Sequence, residues 1–109
     1  MRIDQRTAEV TNEAYRAGAR YQPLCEMAGC KDMRYVWRRY GLPTNSGMPR
    51  GRRPDNLEAE KVESVARLAL GRHMSFTEAD ELARVQLDSD DTLIQAARDA
   101  YDAYMSEVM

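Results

Sequence analysis

The segment that most constrains the fold is residues 21–40, YQPLCEMAGCKDMRYVWRRY, in which two short helical patterns lie on either side of Gly29. Glycine enters the left-handed backbone conformation without steric cost, so Gly29 predicts a tight end to the first helix, about residues 22–28. Pro23 favours the first turn of that helix, because the N–H group that proline lacks is not needed there. Two short helices joined by a tight turn are therefore predicted.

The second of these helices, about residues 33–40, is rich in arginine and aromatic side chains. Asp32 is suited to cap its start, because a carboxylate accepts hydrogen bonds from the free N–H groups of the first turn. Gly41 predicts its end, and Pro43 prevents it from resuming. Helical spacing places four side chains on one inward face: Met33, Val36, Trp37 and Tyr40.

Apolar residues recur at intervals of three and four in further segments, the first of which covers about residues 7–20. This spacing is typical of one face of an α-helix. Asp55 with Glu58, and Ser75 with Glu78, form capping-box patterns at helix starts. No segment alternates like a β-strand, so the chain is predicted to be all-α. The predicted apolar faces are Val10, Ala14, Ala17, Gly18 and Tyr21, then Leu57, Val62, Val65, Ala66, Ala69 and Leu70, then Phe76, Ala79, Leu82 and Ala83, and finally Leu93, Ala97, Ala100, Tyr101, Tyr104 and Val108.

With 109 residues, the chain is expected to form one compact domain, or a small domain with an appendage. Residues 1–43 contain the three-helix pattern. Residues 44–54 are dense in Gly, Pro, Ser and Asn and are predicted to be an extended basic linker. Residues 55–109 are predicted to be an acidic helical region.

The longest apolar runs are far shorter than the roughly 20 residues that span a bilayer, so no membrane association is expected. The first 20 residues are densely charged and lack a signal-peptide pattern, which favours the cytoplasm. In that reducing compartment Cys25 and Cys30 are expected to be free thiols. A zinc site would need two further ligands, and the single histidine, His73, is distant in sequence. No metal or other cofactor is therefore expected.

The net charge of −2 hides a reversal of sign along the sequence. Up to Pro54 there are eleven Lys and Arg residues and five Asp and Glu residues, whereas after Pro54 there are five and thirteen. Such asymmetry is typical of a protein in which one half binds a polyanion and the other half stays away from it.

The order of helix, small residue, glycine turn and basic aromatic helix ending in YGLP resembles the helix-turn-helix modules of small phage and bacterial regulators and of transposase-type proteins. The resemblance covers about residues 7–43. It implies that the second helix of the pair enters the major groove of double-stranded DNA, with the first helix packed across it. The residues implied to contact DNA are Lys31, Arg34, Tyr35, Arg38 and Arg39.

Among these residues, Arg34 is the strongest candidate for reading bases, because a guanidinium can donate two hydrogen bonds to guanine. Tyr35 and Arg38 are the next candidates. Lys31 and Arg39 are expected to contact phosphates.

The helix predicted at about residues 33–40 can lie in either of two registers, which differ in the side chains that face the core. In the usual helix-turn-helix register, counted from Gly29, the late core positions fall on Tyr35 and Arg38. Helical spacing instead places Val36 and Tyr40 inside, and a turn one residue longer would bring Val36 into register. The two solutions turn different side chains toward the groove.

Residues 48–54, MPRGRRP, resemble an AT-hook, whose Pro-Arg-Gly-Arg-Pro core lies in the minor groove of A·T-rich DNA, although they contain one arginine more than that core. The resemblance implies that arginines are drawn to the negative potential of the minor groove. The candidate contacts are Arg50, Arg52 and Arg53. The alternative is a basic linker that contacts phosphates or is simply solvated.

No nucleophile with a base, phosphate-binding glycine loop or catalytic carboxylate pair is apparent, so no enzymatic activity is predicted. The patterns favour a sequence-specific protein that binds double-stranded DNA, and more narrowly a transcription regulator that forms a homodimer through residues 55–109. Two alternatives stay open. One is a DNA-recognition subunit of a phage packaging or recombination complex, and the other is a module that binds another protein through its acidic helices.

Overall fold

The computed structural model describes residues 3–45, 56–87 and 89–108. Over these ranges the chain forms six α-helices and no β-strand, which confirms the predicted all-α class. The helices are α1 (Gln5–Arg16), α2 (Tyr21–Ala28), α3 (Met33–Arg39), α4 (Asn56–Gly71), α5 (Phe76–Gln86) and α6 (Asp90–Val108). Within the same ranges, no helix is both long enough and apolar enough to cross a membrane.

Helix α1 ends earlier than predicted. The Asp4 carboxylate caps its start by accepting a hydrogen bond from the backbone N–H of Thr7 over 2.8 Å. Its last residue is Arg16, rather than a residue near position 20. Gly18 adopts a φ of 118°, which no α-helix contains, so the expectation that Gly18 belongs to the helix is wrong.

The turn between α2 and α3 has the predicted local geometry. Gly29 adopts the left-handed conformation, with φ 69° and ψ 34°. Asp32 caps α3 by accepting hydrogen bonds from the backbone N–H groups of Arg34 and Tyr35, at 3.1 and 3.4 Å. Gly41 follows the end of α3 with a φ of 72°. The structure therefore confirms these signals. Each of them acts only on neighbouring residues, so each can be read from the sequence.

Helices α4 and α6 approach each other closely near the end of α4. A Cβ atom added at Gly71 would lie 2.5 Å from both the carbonyl carbon and the carbonyl oxygen of Ala100, and 2.8 Å from the backbone nitrogen of Tyr101. Backbone atoms cannot move aside as a flexible side chain can. This crossing therefore requires glycine at position 71.

Helices α1 to α3 pack on the helices that follow them in sequence. The buried apolar side chains described on both sides of residues 46–55 belong to one cluster, with α1 lying against α4. Arg6 of α1 donates hydrogen bonds to the carbonyl groups of Ala69 and Met74, both over 3.2 Å. Tyr101 of α6 donates a hydrogen bond to the carbonyl group of Met27 over 2.9 Å. The position of α2 thus depends on α6 as well as on its sequence neighbours.

One residue assigned to the apolar face of α4 lies outside it. Leu57 is 48% exposed, so its assignment to that face is wrong. It lies three and four residues before Glu60 and Lys61, which places it on the polar side of the helix. The predicted capping box formed by Asp55 lies outside the described residues.

Candidate nucleic-acid interface

Helix α3 turns its predicted inward face to the core. Met33 and Trp37 are completely buried, while Val36 and Tyr40 are partly buried and pack against the same core. Tyr35 is 60% exposed. The register in which Val36 lies inside is therefore confirmed, and the register that places Tyr35 inside is wrong.

The side chains predicted to contact DNA on α3 and the preceding turn are all exposed, and we call them the basic face: Lys31, Arg34, Tyr35, Arg38 and Arg39. Arg34 and Arg38 are neighbours one helical turn apart. The Nε–H group of Arg38 donates a hydrogen bond to the backbone carbonyl of Arg34 over 3.3 Å. The other predicted contacts, Arg50, Arg52 and Arg53, lie outside the described residues.

Trp37 anchors α3 from the inner side. Its indole N–H donates a hydrogen bond to the hydroxyl group of Thr11 over 3.1 Å, and both side chains are completely buried. The Thr11 hydroxyl donates in turn to the carbonyl group of Thr7 over 2.8 Å. A buried indole with a satisfied N–H group stabilises α3 against α1. The assignment of Trp37 to the inward face of the helix is confirmed.

Two tyrosines complete an aromatic cluster with Trp37. The ring centre of Tyr15 lies 5.0 Å from that of Trp37, and the ring centre of Tyr21 lies 6.0 Å from each of the other two. Each ring comes from a different helix, so the cluster joins α1, α2 and α3. Such ring pairs contribute about 0.5–1.5 kcal/mol each beyond the area that they bury.

Arg34 lies on this aromatic cluster. Its Nη2 atom donates a hydrogen bond to the Tyr15 hydroxyl over 3.0 Å, and its guanidinium carbon lies 4.5 Å from the ring centre of Tyr21, which is within cation–π distance. The hydrogen bond to Tyr15 raises the pKa of Arg34, so the guanidinium stays charged. Sequence reasoning assigned neither tyrosine to the candidate site. The available signal was their position three residues before and after Gly18, which lies just past the end of α1.

Asp32 occupies free backbone N–H groups at the start of α3. Besides the two backbone N–H groups, it accepts a hydrogen bond from the Tyr21 hydroxyl over 2.8 Å. This hydrogen bond, together with those from the backbone, holds the pKa of Asp32 below its ordinary value. The N–H groups of Arg34 and Tyr35 are therefore occupied, and anion binding by the basic face depends on its side chains.

Within the described parts of the chain, none of the four cations of the basic face forms an ion pair. Asp32 attracts Arg34 and Arg38 electrostatically, but one carboxylate does not neutralise four cations. The ion pairs found there join Arg20 to Glu63, Lys61 to Asp90 and Arg84 to Asp80. A surface whose positive charges are not neutralised internally attracts polyanions. The basic face is such a surface.

The pair formed by Arg20 and Glu63 fixes the start of α2 against the middle of α4. Glu63 is 2% exposed and accepts three hydrogen bonds from Arg20, from the backbone N–H, Nε and Nη2, at 3.0, 2.9 and 2.8 Å. A buried carboxylate is tolerated only with such compensation. The pair thereby positions α2 and the turn that leads into α3.

A cavity of about 530 Å³ lies next to this pair, between α2, α4 and α6. Its charged lining consists of Arg20, Arg67 and Arg98 with Glu26, Glu60, Glu63 and Asp102. Charges of opposite sign nearly cancel there, so the cavity is less suited to a polyanion than the basic face. Within the described ranges, no group of three His, Cys, Asp or Glu side chains is arranged to hold a metal ion.

No protein-family model, curated protein or solved structure matches the chain. Function is therefore inferred from the geometry and charge of the basic face and its support.

Proposed function

We propose that the protein binds double-stranded DNA through the basic face, as a sequence-specific transcription regulator that acts as a homodimer. One observation carries this proposal. Four cations that form no ion pair in the described chain lie with the exposed Tyr35 on the outer side of α3 and on the turn before it, while Trp37 anchors the inner side of α3.

The dimensions of α3 support a major-groove role. With its side chains an α-helix is about 10–12 Å in diameter, which fits a major groove about 12 Å wide. Helix α3 has seven residues and is therefore about 10 Å long. Its inner face is occupied by the core, so the outer face is the one that can approach a ligand. Phosphates on both sides of the groove would neutralise the cations at its edges.

The residues of the basic face have different proposed roles. Arg34 and Arg38 are the candidate base readers, because a guanidinium that donates two hydrogen bonds to guanine contributes about 1–3 kcal/mol of discrimination. Lys31 and Arg39 are the candidate phosphate contacts. Loss of a base contact changes sequence preference, whereas loss of a phosphate contact weakens binding to all sequences.

The proposed dimer follows from the small size of one recognition helix, which can contact only a few base pairs. Two copies related by a two-fold axis would read half-sites about 34 Å apart. In this arrangement residues 55–109 supply the contact between copies. The mass of the protein in solution, measured with and without duplex DNA, tests this part of the proposal.

Arg50, Arg52 and Arg53 extend the proposed interface as an arm that enters the neighbouring minor groove or contacts phosphates. Replacing the three together by Ala should weaken binding chiefly at A·T-flanked sites if the arm lies in the minor groove. Equal weakening at all sites would indicate phosphate contacts instead.

The decisive experiment is unbiased selection of duplex DNA by the purified full chain, followed by affinity measurements at several salt concentrations. We expect a palindrome among the selected sequences and a slope of log affinity against log salt of about −0.9 per phosphate neutralised. Arg34→Ala should relax the sequence preference. Lys31→Ala should weaken all sequences and reduce the slope by about one contact.

Arg84→Ala is the matched control, because it removes an exposed cation from α5, away from the basic face. It should leave DNA binding and the mass of the protein in solution unchanged, and a changed mass would mean that it acts on the contact between copies instead. Absence of duplex binding at low salt would contradict the proposal. Equal effects of Arg34→Ala and Lys31→Ala on every sequence would argue against a recognition helix.

A further inference from the structure

We propose that Tyr15 and Tyr21 are positioning residues that hold the Arg34 guanidinium in place for its contact with DNA. This inference rests on the proposed function, because it concerns the same basic face. The three residues come from α1, α2 and α3, which are brought together at this point only in the folded protein.

Contacts hold both ends of the Arg34 residue. At the tip, Nη2 donates a hydrogen bond to the Tyr15 hydroxyl over 3.0 Å, and the guanidinium carbon lies 4.5 Å from the centre of the Tyr21 ring. At the backbone, the N–H group of Arg34 donates to the Tyr21 hydroxyl over 3.2 Å. The long side chain between these points is therefore restricted.

The tyrosines are themselves held in place. The Tyr15 ring packs on the buried Trp37 ring with a centre-to-centre distance of 5.0 Å. The Tyr21 hydroxyl donates to Asp32 over 2.8 Å, and its ring meets Trp37 edge to face at 6.0 Å. Arg34 thus rests on groups that cannot move independently of α3.

Ordering an arginine before binding favours association, because the long side chain otherwise loses its rotamer freedom on contact with the ligand. The guanidinium has five N–H donors. Tyr15 uses one donor and Tyr21 covers a face of the group, so donors at its edge are left for a base or a phosphate. The same geometry can therefore hold the arginine and present it.

The test is Tyr15→Phe in the full chain, which removes the hydroxyl and keeps the ring against Trp37. The probe is a duplex obtained from the selection described above or, if none emerges, a mixed-sequence duplex at low salt. We expect a loss of affinity of about three- to tenfold, the amount that corresponds to the cost of ordering one long side chain on binding.

A double-mutant cycle tests whether Tyr15 affects DNA affinity through Arg34. If Tyr15 acts through Arg34, Tyr15→Phe should have no effect in the Arg34→Ala background. Tyr40→Phe is the control, because it removes a tyrosine hydroxyl that donates to the carbonyl group of Ile3 over 2.7 Å and makes no contact with Arg34. It should leave affinity unchanged. An equal effect of Tyr15→Phe in both backgrounds, no effect, or tighter binding would overturn the positioning role.

A measurement without DNA separates the two proposals. Relaxation of the Nε–H signals by NMR should show Arg34 more ordered than the exposed Arg39 in the free protein, and Tyr15→Phe should remove that difference. Mobility of Arg34 equal to that of Arg39 would overturn the positioning role even if the protein binds DNA. An ordered Arg34 in a protein that binds no duplex would overturn the proposed function and, with it, the contribution of the tyrosines to binding.

Discussion

Helices α3 and α6 are attached to the rest of the molecule in opposite ways. Helix α3 is held by large side chains, with the completely buried Trp37 at the centre of an aromatic cluster. Helix α6 approaches α4 at Gly71, where the absence of a side chain lets the two backbones meet. The attachment of α3 therefore depends on a large side chain, and the attachment of α6 depends on the lack of a side chain.

The lengths of the helices explain the difference. Helix α3 has seven residues and thus few positions for contact with the core, so its two completely buried residues, Met33 and Trp37, supply most of its attachment. Helix α6 has nineteen residues and can distribute its contacts over several turns. A short helix with a charged outer face is therefore most sensitive to loss of its anchor. The long helix is most sensitive to added atoms at its crossing point.

Trp37→Ala should have the largest effect on stability. It removes the anchor of α3 and leaves a cavity, and such changes lower the free energy of unfolding by about 3–5 kcal/mol. Chemical denaturation monitored by circular dichroism measures the loss. Tyr35→Ala on the same helix is the control and should cost no more than about 0.5 kcal/mol, since Tyr35 is exposed. Similar losses for both variants would contradict the attachment through Trp37.

Arg20→Ala should have the next largest effect, because it breaks the link between the basic part of the molecule and α4. The change leaves the carboxylate of Glu63 buried without its partner, which costs about 3 kcal/mol. Arg84→Ala breaks an exposed pair within one helix and should cost about 0.5 kcal/mol or less. A difference between the two variants below about 1 kcal/mol would show that water replaces Arg20 at Glu63.

Gly71→Ala tests the other attachment by adding one methyl group. Overpacking costs about 1–3 kcal/mol, and the backbone of Ala100 cannot move without shifting α6, so a steric cost of about 3 kcal/mol is expected. Helix propensity acts in the opposite direction by about 1 kcal/mol, which leaves a net loss of about 2 kcal/mol. A variant as stable as the wild type would therefore contradict the close crossing.

Gly41→Ala measures the cost of an unfavourable backbone conformation without a steric clash, in contrast to Gly71→Ala. A Cβ atom at Gly41 meets no atom within 4 Å, but the backbone has a φ of 72°. The loss should be about 1 kcal/mol and should come from the backbone alone. Both glycine variants are measured by the same denaturation experiment.

The smallest effect is expected from Asp32, and it should depend on pH. Hydrogen bonds lower the pKa of Asp32 in the folded protein relative to the unfolded chain. Its ionised form therefore adds stability above the unfolded pKa of about 3.9, and this stability is lost as the pH falls through the folded pKa. The difference in unfolding free energy between wild type and Asp32→Ala should be full at neutral pH and shrink below about pH 4. Asp32→Asn keeps the cap without the charge. The difference in unfolding free energy between Asp32→Asn and Asp32→Ala should therefore not shrink below about pH 4.

Local signals in the sequence predicted the part of the candidate site that depends on neighbouring residues. Gly29 and Asp32 set the turn and the start of α3, and helical spacing identified Trp37 as its anchor. The exposure of the basic face follows from the same spacing, since residues opposite an apolar stripe are left to solvent.

Contacts between distant segments could not be predicted in the same way. Arg20 and Glu63 are 43 residues apart, and no pattern in either segment indicates the other. Gly18 was assigned to a helix face as a small apolar residue. Its φ of 118° is a property of the folded backbone and could not be read from the sequence. The positions of Tyr15 and Tyr21 around Arg34 depend on that turn. Sequence reasoning therefore found the residues of the basic face and placed Trp37 inside, but it did not find the tyrosines around Arg34 or the pair of Arg20 and Glu63.

Trp37 also gives the molecule its own spectroscopic reporter. It is the only tryptophan in the chain and lies completely buried in α3, beneath the basic face. An indole ring in an apolar environment emits at shorter wavelengths than one in water, so detachment of α3 would shift the emission of the whole protein to the red. Binding of a ligand to the outer side of an α3 that stays attached would leave that emission near its folded wavelength. A single fluorescence measurement thereby distinguishes a loss of binding caused by a missing contact from one caused by a displaced helix.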